Sequence, residues 1–97
     1  MNQPQVIAVD LDGTLCQEIC WDEQSMLNAT PVKKVVDWVN LKYLTNYIII
    51  YTARRPELYL PTRKWLIENG IKFHALEPGK MPADLYIDDK SLRPEEL

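Results

Sequence analysis

Short apolar runs that stop abruptly on a polar side chain are the feature of this chain that most restricts its fold. Val6-Ile7-Ala8-Val9 ends at Asp10, Tyr47-Ile48-Ile49-Ile50-Tyr51 ends at Thr52, and Leu85-Tyr86-Ile87 ends at Asp88-Asp89. An unbroken run, unlike an alternating one, suits a strand buried on both faces, as in a parallel sheet. The second run is the strongest, because it is all β-branched and aromatic. Helical patterns lie between the runs. Val32, Val35, Val36, Val39 and Tyr43 recur at helical spacing. They predict an amphipathic helix from Pro31 to Leu44, with Thr30 as N-cap and Pro31 in its first turn. A second helix is expected from Pro61 to Asn69, closed by Gly70, with Trp65 and Leu66 facing the core. A weaker strand is expected at Ile71–His74, and an irregular flap over 17–29, which shows no period.

The order is therefore βαβα followed by two strands, an α/β pattern with helices on the faces of the sheet. In such sheets ligands bind beyond the carboxyl ends of the strands. Asp10, Thr52 and Asp88 each follow a strand directly, so they should converge on one edge.

The remaining composition narrows the classes. Ninety-seven residues, 46% hydrophobic and 26% charged, make one domain over 1–97 with a small core. A formal net charge of −3 gives no broad attraction to nucleic acid. No signal-peptide pattern opens the chain, and no apolar stretch approaches the roughly 20 residues of a membrane span, so a cytoplasmic protein is expected. Cys16 and Cys20 are expected to be reduced thiols. With His74 as the one histidine, a four-ligand zinc site lacks donors. The glycosylation sequon Asn28-Ala29-Thr30 is idle without secretion.

Asp10-Leu11-Asp12-Gly13-Thr14-Leu15 sets two carboxylates two residues apart at a strand end, followed by a turn glycine. Close carboxylates repel unless a cation holds them, and Mg2+, which takes oxygen ligands and shares its shell with phosphate, answers that need. Asp88 and Asp89 add carboxylates, Thr52 a hydroxyl donor, and Lys80 a positive charge for a phosphate. Lys72 and Lys90 are alternative amines. Arg54 and Arg55 read equally as anion-binding groups or as exposed charges. Asp84 and His74 read as loop or strand-end residues.

The run DLDGTL resembles the first motif of the haloacid dehalogenase superfamily. Thr52 after an isoleucine-rich strand, Lys80 in the loop before the last strand, and Asp88-Asp89 resemble its second, third and fourth motifs, in the same order. The resemblance implies a Rossmann-like three-layer sandwich with a small, mainly parallel sheet of strand order 3-2-1-4. It implies a Mg2+-dependent phosphohydrolase in which Asp10 forms an aspartyl-phosphate and Asp12 is the general acid and base. Thr52 and Lys80 would stabilise the transferring group, and Asp10, Asp12 (through its backbone carbonyl), Asp88 and Asp89 would serve the metal. Gly13, Thr14, Ala53 and Arg54 complete the expected substrate-binding set. The gaps between motifs hold no cap domain, so the site should be open to a small phosphorylated molecule or to a polymer end. Self-association is plausible for so slight a core. The alternatives are a non-catalytic Mg2+/phosphate-binding module and a phosphotransferase using an acceptor other than water. A response-regulator receiver domain fits worse, because the strand before Thr52 carries no aspartate.

Overall fold

The computed structural model of the chain describes residues 3–20, 22–79 and 82–88. Along them run β1 (Val6–Asp10), α1 (Glu23–Leu27), α2 (Lys33–Tyr43), β2 (Tyr47–Thr52), a 3-10 turn (Pro56–Leu58), α3 (Tyr59–Glu68), β3 (Ala75–Pro78) and β4 (Leu85–Ile87). The strands form one sheet in the order β3-β2-β1-β4, and every neighbouring pair is parallel. The expected strand order is observed.

Register decides which face of the sheet meets the helices. Ile7 pairs with Ile48 and Leu85, Val9 with Ile50 and Ile87, and Ile50 with Leu76. These residues share one parity, and they form a single cluster with Met26 of α1, Val35, Val36 and Val39 of α2, and Trp65 and Leu66 of α3. Each fully buried aliphatic side chain of this kind contributes about 1.5–3 kcal/mol, so the cluster is the main source of stability. Ala8, Ile49, Tyr51 and Tyr86 have the opposite parity and face away from it. The described helices thus form one layer on one sheet face, so the described residues show two layers where a three-layer sandwich was expected. No helix among the described residues is long and apolar enough to cross a membrane.

Four local features differ from the sequence reading. The flap contains α1, capped at Asp22, whose carboxylate accepts the Ser25 N–H at 2.8 Å while Ser25 Oγ accepts the Asp22 N–H at 3.3 Å. Reciprocal capping of this kind stabilises even a five-residue helix. The residue before α2 is Val32, not Thr30, and it makes no side-chain cap. Thr30 instead donates its N–H and its hydroxyl to Glu18, both at 2.8 Å. The second helix starts at Tyr59, because the 3-10 turn opened by Pro56 runs directly into it and Pro61 falls in its first turn.

The third strand is Ala75–Pro78 and not Ile71–His74. Gly70, at φ +69°, ends α3 in a Schellman turn: its N–H reaches Ile67 O at 3.1 Å and the Ile71 N–H reaches Leu66 O at 3.0 Å. Ile71 is drawn into the core by that turn. Pairing with β2 then begins four residues later.

Candidate functional site

The carboxyl ends of the strands gather the polar residues that the sequence pointed to. Asp10 closes β1 and pairs in register with Tyr51. Val9 pairs with Ile87, so Asp88 stands level with Asp10 on the next strand, about 4.8 Å away across the sheet. Thr52 ends β2 on the other side of β1. Sheet order therefore brings Asp10, Thr52 and Asp88 to one edge, as expected. The Asp10 carboxylate accepts the Leu11 N–H at 2.8 Å. Asp88 is buried, and its Oδ2 accepts the Tyr51 hydroxyl at 3.0 Å. That phenol reaches from β2 past β1, across the position of Asp10. Sequence reading took Tyr51 only as a strand residue. The usable signal was its place as the last aromatic before the site threonine.

The loop after Asp10 is wound tightly about one carbonyl. Leu11 O accepts the N–H groups of Thr14, Leu15 and Cys16 at 3.3, 3.0 and 3.2 Å. Gly13 turns the chain at φ +78°, a conformation that favours glycine. Thr14 becomes wholly buried, and its Oγ1 has no hydrogen-bond partner among the described residues. An orphaned buried hydroxyl typically costs about 1–3 kcal/mol, so this loop holds an unmet polar demand directly after Asp10.

Asp12 is held by Arg54. The guanidinium Nε donates to both carboxylate oxygens of Asp12, at 3.2 and 3.0 Å, and Nη2 pairs with Oδ1 as well. The side chains are 2% and 17% exposed, for Arg54 and Asp12 respectively. Arg54 also contacts two neighbours: Nη1 donates to Thr62 Oγ1 at 3.0 Å and Nη2 lies 3.8 Å from Cys16 Sγ. Its backbone N–H donates to Thr52 Oγ1 at 3.1 Å. Of the two readings left open for Arg54, the exposed charge does not describe the observed side chain, which is buried in an internal ion pair with Asp12. Arg55 is exposed and lies 3.9 Å from Glu57.

Two thiols complete this cluster. Cys20 N–H donates to Asp12 Oδ1 at 3.2 Å, and Cys16 Sγ lies 3.8 Å from the same oxygen. Burial first, and then the Asp12 carboxylate, pushes the Cys16 thiol up to about 12, and burial also raises Cys20. Both are free thiols. Among the described residues, Asp12, Cys16 and Cys20 are the one group of three donors close enough to share a metal ion. Arg54 already supplies the positive charge there. Asp10 and Asp88, level with each other across the sheet, form a separate pair of hard oxygen donors that does not involve the Asp12 carboxylate.

The other candidates separate cleanly. Ala53 is exposed beside Thr52. Lys72 precedes β3 with its ammonium 6.0 Å from the Tyr43 ring, at the opposite edge of the sheet, so it is no candidate for the site amine. His74 and Asp84 bind backbone at that same far edge. Lys80, Asp89 and Lys90 lie outside the described residues. Thr62, which sequence reading did not single out, anchors Arg54 and donates to Met26 Sδ at 3.6 Å. Comparison of the chain with family models, with curated proteins and with solved structures gives no match.

Proposed function

We propose that this chain is a cap-less, Mg2+-dependent phosphohydrolase of the haloacid dehalogenase type, acting on phosphomonoesters through an aspartyl-phosphate on Asp10. The observation that carries this reading is the meeting of Asp10, Thr52 and Asp88 at the carboxyl edge of a parallel sheet, with Asp12 two residues beyond Asp10.

In this reading an Asp10 oxygen attacks phosphorus as the ester P–O bond breaks. Asp12 gives its proton to the leaving oxygen, then takes one from the water that attacks the aspartyl-phosphate, releasing inorganic phosphate and restoring Asp10. Thr52 Oγ1 already accepts the Arg54 N–H, which leaves its own proton to be donated to a phosphate oxygen. Lys80 would add positive charge on the same group. Asp10, Asp88 and the backbone carbonyl of Asp12 would hold Mg2+, with Asp89 as a further carboxylate, and the ion would neutralise charge on the phosphoryl oxygens. Arg54 is a positioning residue: it fixes the Asp12 side chain and must yield it during proton transfer. Tyr51 fixes Asp88 in the same way.

One observation favours a second reading, a Mg2+/phosphate-binding module without turnover. The Asp12 carboxylate is committed to a buried arginine, which keeps it from acid–base work. Release of inorganic phosphate from a panel of phosphomonoesters, with Mg2+ and with chelator, separates the two. Turnover that needs Mg2+ and vanishes in Asp10→Asn is the expected result. Tight Mg2+ binding by a folded protein that turns over no ester would sink the phosphohydrolase and leave the binding module.

A further inference from the structure

Beyond the carboxyl ends of β2 and β3 lies a cavity of about 200 Å3, and Thr52 belongs both to its wall and to the candidate site. Its other walls are Pro56 and Leu58 of the 3-10 turn, Tyr59 at the start of α3, and Pro78 at the end of β3. From the phosphate position at Asp10 to this wall is one to two strand spacings, roughly 5–10 Å. That is the reach of a phosphoester from its phosphorus to its leaving group.

Deep in the cavity polar groups hold one another. Thr62 Oγ1 accepts from Arg54 and donates to Met26 Sδ, while the Arg54 guanidinium is committed to Asp12, Thr62 and Cys16. Arg55 and Glu77, of opposite charge, stand exposed in the lining. A leaving group placed here meets proline rings, a leucine and a tyrosine face. The polar groups within reach are the Thr52 hydroxyl, which the phosphate takes in the proposed reaction, and Arg55 and Glu77 at the exposed rim. Size decides further. A cavity of about 150 Å3 admits benzene, whereas pockets that bury a drug-sized ligand run from about 300 Å3 upward. The cavity takes one substituted ring, and a nucleoside or a sugar-polymer end exceeds it.

We infer that this cavity is the leaving-group subsite of the phosphohydrolase, and that the substrate class is a small phosphomonoester with a compact apolar ring, an aryl phosphate being the simplest case. The inference rests on the phosphohydrolase reading and narrows it. Sugar phosphates are disfavoured because each hydroxyl stripped of water without a partner lowers affinity by roughly tenfold.

The test compares phenyl phosphate with glucose 6-phosphate as substrates of the full chain with Mg2+, in wild type and Tyr59→Ala. Phenol binding is followed in parallel by ligand-observed NMR. A kcat/KM at least about tenfold higher for phenyl phosphate is expected, falling about 3–10-fold in Tyr59→Ala as the ring loses its aromatic wall. Phenol should bind wild type and compete with phenyl phosphate. Leu58→Trp, which fills the cavity, should abolish both preference and phenol binding; should it fail to fold, Tyr59→Ala alone decides. Equal kcat/KM for the two esters, or a Tyr59→Ala ratio unchanged from wild type, overturns the subsite while the phosphohydrolase stands. No turnover of any ester overturns the phosphohydrolase and the leaving-group assignment together, and phenol binding then reports on the cavity alone.

Discussion

The two edges of the sheet use the same kinds of side chain for different ends. At the amino edge polar groups close on backbone. Asp84 accepts the Val6 N–H at 2.7 Å and returns its own N–H to Val6 O at 2.8 Å. His74 does the same for Ile48, accepting at Nδ1 at 3.0 Å and donating its N–H at 2.9 Å, with its ring stacked on Tyr43 and Tyr47. Asn46 accepts the Gln5 N–H at 2.9 Å. At the carboxyl edge polar side chains meet one another: Arg54 with Asp12, Tyr51 with Asp88. An aspartate matched to a strand N–H terminates a strand. Aspartates gathered beside each other with an arginine and a phenol instead place interacting polar side chains at one edge, the kind of clustering that functional sites show.

The strongest way to break this comparison is to exchange the fates of two aspartates. Asp10→Asn should lower phosphate release by at least about 1,000-fold, with the fold intact, because a carboxamide is a poor nucleophile. Asp84→Ala should leave turnover near wild type and cost about 1 kcal/mol in urea unfolding, the worth of a typical hydrogen bond. If Asp84→Ala were the inactive variant, the assignment of edges would be reversed.

Next in size is the buried ion pair. Arg54→Ala should destabilise the protein by about 3–5 kcal/mol, since removing one partner leaves Asp12 without its compensating charge. Arg54→Lys keeps the charge but not the two-pronged geometry, and should recover part of the stability and less of the turnover. His74→Ala supplies the contrast. It should cost about 1–2 kcal/mol through the lost Ile48 acceptor and the ring stack, with kcat unchanged. Chemical denaturation alongside kinetics reads both. Equal loss of turnover in His74→Ala and Arg54→Ala would erase the distinction between the edges.

The difference between the edges also marks what was legible in the sequence. Strand ends were legible because an apolar run stops where a polar residue begins, and those stops gave Asp10, Thr52 and Asp88, whereas the sheet order was implied by the motif resemblance. What the sequence hid depends on contacts between distant residues. Arg54 and Asp12 are 42 positions apart, and nothing in Thr52-Ala53-Arg54-Arg55 says which arginine turns inward. Thr30 had the form of a helix cap, yet a glutamate twelve residues earlier claimed it. Ile71–His74 carried the apolar content of a strand, but the Gly70 turn assigned Ile71 to the core and left pairing to Ala75-Leu76-Glu77-Pro78. The small helix after Asp22 was legible in principle from the Asp22–Ser25 spacing.

A smaller effect follows from the thiol behind Asp12. Cys16 is raised from 9.0 to about 12, so the folded state keeps a proton that the unfolded chain releases above pH 9. Native protein then binds more protons than unfolded, and stability falls with rising pH by at most about 1.4 kcal/mol per unit between those values. Cys16→Ala should flatten that part of the curve between pH 8 and 10. An identical slope in wild type and variant would place the titration elsewhere, and would mean that the carboxyl edge does not bury its thiol in solution.

The smallest expected effect tests how the loop after Asp10 is fastened. Gln17 N–H reaches Thr30 O at 2.9 Å, Val32 N–H reaches Leu15 O at 2.8 Å, and the Glu18 carboxylate takes both donors of Thr30. The Thr30 N–H, followed by its hydroxyl, holds Glu18 below the usual 4.5. A depressed carboxylate adds stability above its unfolded value, and that stability is lost as pH falls through the folded value. Glu18→Gln should therefore show a shallower loss of stability below pH 4.5 than wild type, with turnover at neutral pH unchanged, as followed by urea titrations across the acid range. Glu18 is exposed, so water screens the contribution and the change in slope should be slight. A Glu18→Gln variant with diminished turnover at neutral pH would be the more informative result: it would tie the aim of Asp10 and Asp12 to this surface clasp, and extend the carboxyl edge beyond the strand ends.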